Sequence, residues 1–399
     1  MQKGFLFNRM EIAGSFGDLG TILPLAVGMI MINGLNPVGV FCGVGLFYIF
    51  SGLYFRVTCP VEPMKVMSGY AIATGIGSGQ IHAACLWLFV FLLIIGVSGM
   101  IDLIRRYTAT SVIRGVQLST GLLLISQGVK LIAGTSPYQQ LQAMAEPYLR
   151  YQQIGGVPIG LLLGAGFGFL ALFFLDNRRL PAALLLVGFG AGVGLVLGTQ
   201  LNWEGLRPGL YLPELLPGGW PTMDELGFVL LLLVLPQVPM TIGNAVIANA
   251  DLSHQYFPEA ARRVTYSALC ISMALANLVS FLIGGIPMCH GAGGLASRYR
   301  FGARTGGSNL VIGALFLLVA LLLGRDALVV INLLPLAVLG VLLVFSGSQL
   351  ALTILDVRGR KELFVVVLVV GVTIASNLAV GFVVGMVVAA LLRWDRLSV

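Results

Sequence analysis

Charge is scarce in this sequence. Asp, Glu, Lys and Arg make up 10% of its 399 residues, against about 25% in soluble domains. Histidine is rarer still, with three in the chain, and none belongs to a His-Glu-x-x-His motif. An integral membrane enzyme built on metal ligands or an activated nucleophile is therefore disfavoured. No Walker or dinucleotide glycine fingerprint occurs, so ATP-driven transport within this chain is unsupported. The five cysteines, Cys42, Cys59, Cys85, Cys270 and Cys289, lie in or beside apolar runs without metal-ligand pairing. They read as small buried hydrophobes, and no disulfide, metal or cofactor is expected. Met1–Arg9 leads into an apolar run broken by Asp18, with no small-residue cleavage site, so no cleavable leader is expected. No soluble appendage is expected after the last apolar run.

What is abundant is apolar surface: 58% of residues are hydrophobic and the mean hydropathy is +0.97. The formal net charge of +7 is spread in short basic clusters between apolar runs, the pattern of loops at a membrane rather than of nucleic-acid binding. A helix needs about 20 apolar residues to cross a bilayer. The chain offers segments at 11–32, 36–55, 60–77, 82–104, 112–133, 155–175 and 181–199, then 226–249, 264–284, 287–302, 307–324, 327–351, 362–375 and 377–393. The expected organisation is a first repeat over 1–199, an interfacial linker over 200–225 rich in Pro, Gly and Trp, and a second repeat over 226–399. Gly121–Leu131 aligns without gaps on Gly340–Leu350, matching glycines at both internal positions. With both termini cytoplasmic, Arg105, Arg106, Arg114, Arg178, Arg179, Arg262, Arg263, Arg298, Arg300, Arg304, Arg358, Arg360 and Lys361 fall on inside loops. Only Lys130, Arg150, Arg207 and Arg325 fall outside. Seven crossings per half make the halves inverted relative to each other.

Two segments break the apolar grammar. Ile286–Arg304 combines a proline, a glycine cluster, a histidine and three arginines between long apolar runs. Cys59-Pro-Val-Glu-Pro-Met-Lys-Val-Met-Ser-Gly-Tyr70 also sets prolines before a short helical stretch. Irregular backbone at membrane depth is tolerated only when protein buries it or it lines a cavity. A half-helix opening there presents unpaired N–H groups and a partial positive charge, an anion site. Two such segments in corresponding halves point to a transporter's substrate site.

Polar residues inside the spans carry competing readings. Asp18, with Ser15 and Thr21 on one helix face, either lines a cavity or braces a neighbouring helix. Glu62 and Lys65 either serve an anion, as counter-ion, proton carrier and neutralising cation, or form a buried pair that fixes a helix end. In Leu235–Asn249, the counterpart stretch of the second half, Gln237, Thr241 and Asn244 share a face. They offer neutral donors to an oxyanion or interhelical hydrogen bonds. His290 is either a donor to an oxyanion or a satisfied structural histidine.

These stretches resemble the molybdate-transporter family of plants, fungi and bacteria, a branch of the sulfate-permease superfamily. The resemblance rests on Gly14-Ser-Phe-Gly-Asp-Leu-Gly-Thr21, Pro60-Val-Glu-Pro-Met-Lys65, Leu235-Pro-Gln-Val-Pro-Met-Thr241 with Asn244, and Pro287-Met-Cys-His-Gly-Ala-Gly-Gly-Leu295 with Arg298–Arg304. At the position of Glu62 the family pattern carries glutamine. The resemblance implies an all-α integral membrane protein, a seven-plus-seven transmembrane inverted repeat with two interrupted half-helices and core and gate domains. It implies that backbone at Met64–Lys65 and His290–Gly291 cradles a tetrahedral dianion, with Asp18, Thr21, Gln237, Thr241 and Asn244 around it. Glu62 and Cys289 complete the candidate set. The expected function is import of molybdate by alternating access, with proton coupling left open; a sulfate or general oxyanion transporter, or an anion channel of the same fold, are the rivals. Tungstate and sulfate are the competing substrates, no enzymatic activity is expected, and a homodimer is compatible with the fold. The expected location is the cytoplasmic membrane of a bacterium, embedded in the lipid bilayer.

Overall fold

The computed structural model describes residues 4–101, 109–136, 139–140, 142–174, 182–198, 209–327, 329 and 332–394. The first part of the expected linker, together with Arg105, Arg106, Arg178 and Arg179, lies outside them. In the first half the elements are α1 (Arg9–Ser15), α2 (Leu19–Asn33), α3 (Pro37–Phe55), β1 (Glu62–Pro63), α4 (Lys65–Thr74), α5 (Ser78–Ser98) and α6 (Thr110–Ala133). The hairpin β2 (Gln153–Ile154) and β3 (Val157–Pro158) follows, then α7 (Ile159–Phe174) and α8 (Ala182–Val196). The second half runs α9 (Met223–Tyr256), α10 (Tyr266–Ile283), β4 (Met288–Cys289), α11 (Ala292–Arg300), α12 (Gly307–Leu323), α13 (Leu336–Ala351), α14 (Arg360–Ala375) and α15 (Leu378–Leu391). Among the described residues, six helices are long and apolar enough to cross a membrane. The order is consistent with the seven-plus-seven expectation.

Local chemistry places the boundaries. Asn36 caps α3 by accepting from the Val38 N–H at 3.0 Å, and α2 ends on Gly34 at φ 72°, a conformation open to glycine at no steric cost. Thr222 and Glu225 form a reciprocal capping box at the start of α9. Pro236 and Pro239 lie inside α9, where each removes a backbone donor. The helix continues past them through π-helical turns at Leu230–Val234 and Thr241–Ala248. The Leu235–Asn249 stretch is therefore part of one long helix and not an interrupted segment.

The helices form two groups. In one, α5 packs on α10 and α3 on α12, with α2, α4, α9 and α11 between them; in the other, α6 packs along α13 and α14, with α7, α8 and α15 around them. The α6–α13 seam is built on small residues. A methyl group at Gly121 would lie 2.5 Å from the Gly347 carbonyl oxygen, and one at Gly347 would lie 2.6 Å from that of Gly121. Gly128 and Gly340 repeat the relation at 2.5 and 2.6 Å. The aligned repeats thus pack antiparallel on one another, each glycine of one contacting the non-equivalent glycine of the other, as an inverted two-fold requires.

Candidate functional site

The two interrupted segments meet. Strands β1 and β4 pair antiparallel, with Glu62 opposite Cys289 and Pro63 opposite Met288, and the Met64 N–H donates to the Pro287 carbonyl at 2.9 Å. Backbone polar groups this deep need partners, and two asparagines supply them. Asn277 donates to the Met288 carbonyl at 3.0 Å and accepts from its N–H at 3.2 Å. Asn309 does the same for Cys59, at 2.6 and 3.1 Å. From these strands α4 and α11 start as half-helices.

At the two helix starts, the Met67 N–H goes to Gln237 Oε1 at 2.9 Å. Ser68, Gly294 and Leu295 donate to carbonyls of their own turns. The amides of Lys65, Val66, Ala292 and Gly293 find no acceptor among the described residues. Free first-turn N–H groups at a helix start are the physical basis of an anion site.

A cavity of about 560 Å³ opens onto these ends. One wall comes from the first helix group: Asp18, Thr21, Lys65, Asn244, Gly293, Gly294, Ser297 and Arg300. The facing wall comes from the second: Gln117, Ser346, Gln349 and Thr353, with Leu124, Leu186, Leu342 and Phe345. At about 30 Å³ per water, this is room for a small oxyanion and its hydration rather than a tight cage.

Of the expected site residues, the structure brings Asp18, Thr21, Lys65 and Asn244 to the cavity wall. Asn244 makes no described hydrogen bond. Glu62 lies immediately behind the wall, 1% exposed, with Oε2 3.2 Å from Lys65 Nζ. Met64 is the N-cap of α4 and Gly291 that of α11. Gln237 and Thr241 are buried and engaged: Gln237 Nε2 donates to Thr241 Oγ1 at 2.9 Å while its Oε1 holds the start of α4. Cys289 is buried in β4.

His290 is a strut. Nδ1 donates to the Pro60 carbonyl at 2.7 Å, which leaves Nε2 to accept from Ser272 Oγ at 2.9 Å. Its ring sits against Phe47 at 4.5 Å and Phe55 at 5.6 Å. It ties one interrupted segment to the other and does not line the cavity.

Arg298 corrects the charge count from sequence. It lies within α11 and is fully buried, not on a loop. Its Nη1 pairs with Asp18 Oδ1 at 3.1 Å, Nε donates to Thr58 Oγ1 at 2.9 Å, and Nη2 donates to Asn309 Oδ1 at 2.9 Å. Asp18 Oδ2 in turn accepts from the Val61 N–H at 3.4 Å. The pair braces the α1–α2 junction against both interrupted segments. The second wall of the cavity was absent from the sequence-based set. Gln117, Ser346 and Gln349 carry the one available signal, polar residues within otherwise apolar spans, Gln117 beside Ser119 and Thr120 and the other two around Ser348. No group of three or more His, Cys, Asp or Glu side chains is placed to hold a metal among the described residues.

Helices of membrane-spanning length, paired half-helices and a polar cavity at their starts define a multi-pass integral membrane protein of the transporter type. The fold is that of the transmembrane domain of a cyanobacterial bicarbonate transporter, BicA: TM-score 0.68, 18% identity, covering 98% of this chain and 100% of that one. It is also that of murine solute carrier 26 family member A9, an anion transporter solved in the inward-facing state, with TM-score 0.69, 16% identity, 98% of this chain and 69% of that one. The family model described as "Molybdate transporter of MFS superfamily" matches residues 10–124 and 229–350, and the chain belongs to this molybdate transporter family. Molybdate transporter 1 of Chlamydomonas reinhardtii is 30% identical over 97% of this chain and 94% of its own length. Molybdate transporter 2 of Arabidopsis thaliana is 29% identical over 97% and 88%.

Proposed function

We propose that this chain is a secondary transporter that imports molybdate, bound as a tetrahedral dianion where α4 and α11 begin. The observation that carries the reading is the meeting of two half-helix starts, with unclaimed amides, at a cavity between two helix groups. Lys65 supplies positive charge there and Asn244 a neutral donor. The names of the relatives favour molybdate over other oxyanions. Tungstate shares its shape and charge and competes; sulfate is only somewhat smaller.

The cavity lies on the seam between the two helix groups, so movement of the first group, the core, against the second, the gate, exposes the site to alternate sides. Residues 1–199 and 226–399 act as the inverted repeats, joined by 200–225; the reciprocal glycine packing of α6 and α13 supports this division. The distribution of basic residues along the sequence favours cytoplasmic termini, in the cytoplasmic membrane of a bacterium. Glu62 and Asp18 are the acids through which a proton would be coupled.

Thermal stabilisation of the purified protein tests the assignment. Ligand that binds only the folded state stabilises it by about 2.7 kcal/mol at a hundredfold excess over Kd. Molybdate and tungstate are expected to raise the melting temperature, sulfate weakly and chloride not at all. Equal shifts with sulfate would make the protein a general oxyanion carrier; no shift with any oxyanion would remove the proposal.

A further inference from the structure

The Glu62 carboxylate sits where an anion would bind. It is 1% exposed, its one close charged partner is Lys65 at 3.2 Å from Oε2, and no backbone N–H is bonded to either oxygen among the described residues. Both are turned onto the start of α11. A methyl group at Gly291, the N-cap, would overlap Oε2, and one at Gly294 would lie 2.8 Å from Oε1. The Asn244 amide is on the same spot, with Nδ2 3.5 Å from that same Gly291 methyl position. An acid so placed gains from the positive end of α11 what a substrate anion would gain.

The surrounding charges bear on this. On its own segment Glu62 faces Lys65, at 3.2 Å. From the neighbouring elements it faces Asp18, Tyr48 and the Cys289 thiol. Asp18 is held by Arg298, and the His290 ring is committed to Pro60 and Ser272. Lys65 and Arg298 are thus each matched by a carboxylate, and Arg300 is a further cation on the cavity wall; while Glu62 is ionised, Lys65 offers an incoming dianion no uncompensated charge.

We propose that Glu62 is a tethered anion occupying the oxyanion position, and that an oxyanion binds only as Glu62 takes up a proton. Protonation removes the competing charge and frees Lys65 for the ligand. The proton comes from solvent, and no bond is made or broken in the oxyanion. This rests on the molybdate reading but is separable from it, because any oxyanion would meet the same competitor. Apparent affinity is the intrinsic affinity scaled by the fraction of competent sites, so a one-proton requirement weakens binding about tenfold per pH unit where Glu62 is ionised.

The test measures binding of molybdate, sulfate and chloride to the purified full chain, wild type and Glu62→Gln, between pH 6 and 8. Calorimetry in buffers of different ionisation enthalpy counts the protons taken up. The expected result is wild-type binding that weakens with rising pH and takes up about one proton. Glu62→Gln should bind tenfold or more tighter at pH 8, with no pH dependence and no uptake. Molybdate binding to the wild type that is pH-independent and proton-free, or weaker in Glu62→Gln, overturns the inference and leaves the molybdate reading standing. Tightening in Glu62→Gln for sulfate or chloride but not molybdate keeps the inference and removes molybdate. Binding of no anion to either protein removes both. The proton count on the wild type decides the matter even if the variant does not fold.

Discussion

Asp18 Oδ1 and Arg298 Nη1 are 3.1 Å apart, with both side chains closed to solvent. The pair joins the start of the chain to the second interrupted segment. Removing one member of a buried pair strands the other charge, at a cost of about 3–5 kcal/mol. Asp18→Asn and Arg298→Met should each lower the melting temperature strongly. The double variant should fall well short of the sum of the two losses, because no lone charge remains. Additive losses in a double-mutant cycle would show that the two residues act separately.

Gln237 and Asn244 belong to one helix and have different duties. The Gln237 amide holds the Met67 N–H and the Thr241 hydroxyl, so Gln237→Ala leaves buried partners unsatisfied and should cost about 1–3 kcal/mol of stability. Asn244→Ala should leave the melting temperature nearly unchanged yet weaken oxyanion binding about tenfold, or about 1.4 kcal/mol. Parallel melts and binding titrations separate the two. A stability loss confined to Asn244→Ala would reverse the assignment.

Much of this was legible in the sequence, for reasons that differ by residue. Hydropathy and the prolines at 60, 63 and 287 located the spans and the two breaks, because a membrane imposes helix length and punishes unpaired backbone. The Gly121–Leu131 and Gly340–Leu350 match became a physical seam. Arg298 was misplaced because counting basic residues by position cannot see Asp18, which meets it from the far end of the chain. Nor could spacing show that His290 turns inward as a strut, or that Gln237 caps α4 while Asn244 reaches the cavity. The far wall of Gln117, Ser346 and Gln349 depends on how two helix groups face each other, and no local pattern encodes that.

The α6–α13 seam is expected to be intolerant of bulk. Ala at Gly121 or Gly347 puts a methyl group about 2.5 Å from a backbone oxygen, which cannot yield as a flexible side chain would. Each substitution should destabilise by about 1–3 kcal/mol, read as a fall in melting temperature. Alanine at Gly166 or Gly168, where a methyl group meets nothing within 4 Å, should be neutral.

Glu146, on the connection between α6 and β2, is a pH-sensitive element outside the spans. Its carboxylate accepts from the Leu336 and Ala337 N–H groups at 2.8 and 2.7 Å, capping α13. Burial pushes its pKa up from 4.5 to about 7 despite those bonds. The folded protein therefore holds a proton that the unfolded chain has released, and stability falls as pH rises between about 4.5 and 7. The slope is at most about 1.4 kcal/mol per pH unit. Thermal melts across that range should show the decline, and Glu146→Gln should lose it; an unchanged slope in the variant would refute the assignment.

Movement of molybdate through the cavity between the helix groups has a direct readout. Accumulation of molybdate inside proteoliposomes above its outside concentration, under an imposed proton gradient, tests it most directly. Accumulation by the wild type is expected, with competition by tungstate more than by sulfate and a marked loss in Asn244→Ala at subsaturating substrate. Equilibration of molybdate without accumulation would make the protein a channel. Absence of molybdate uptake by folded protein would rule out molybdate as its substrate.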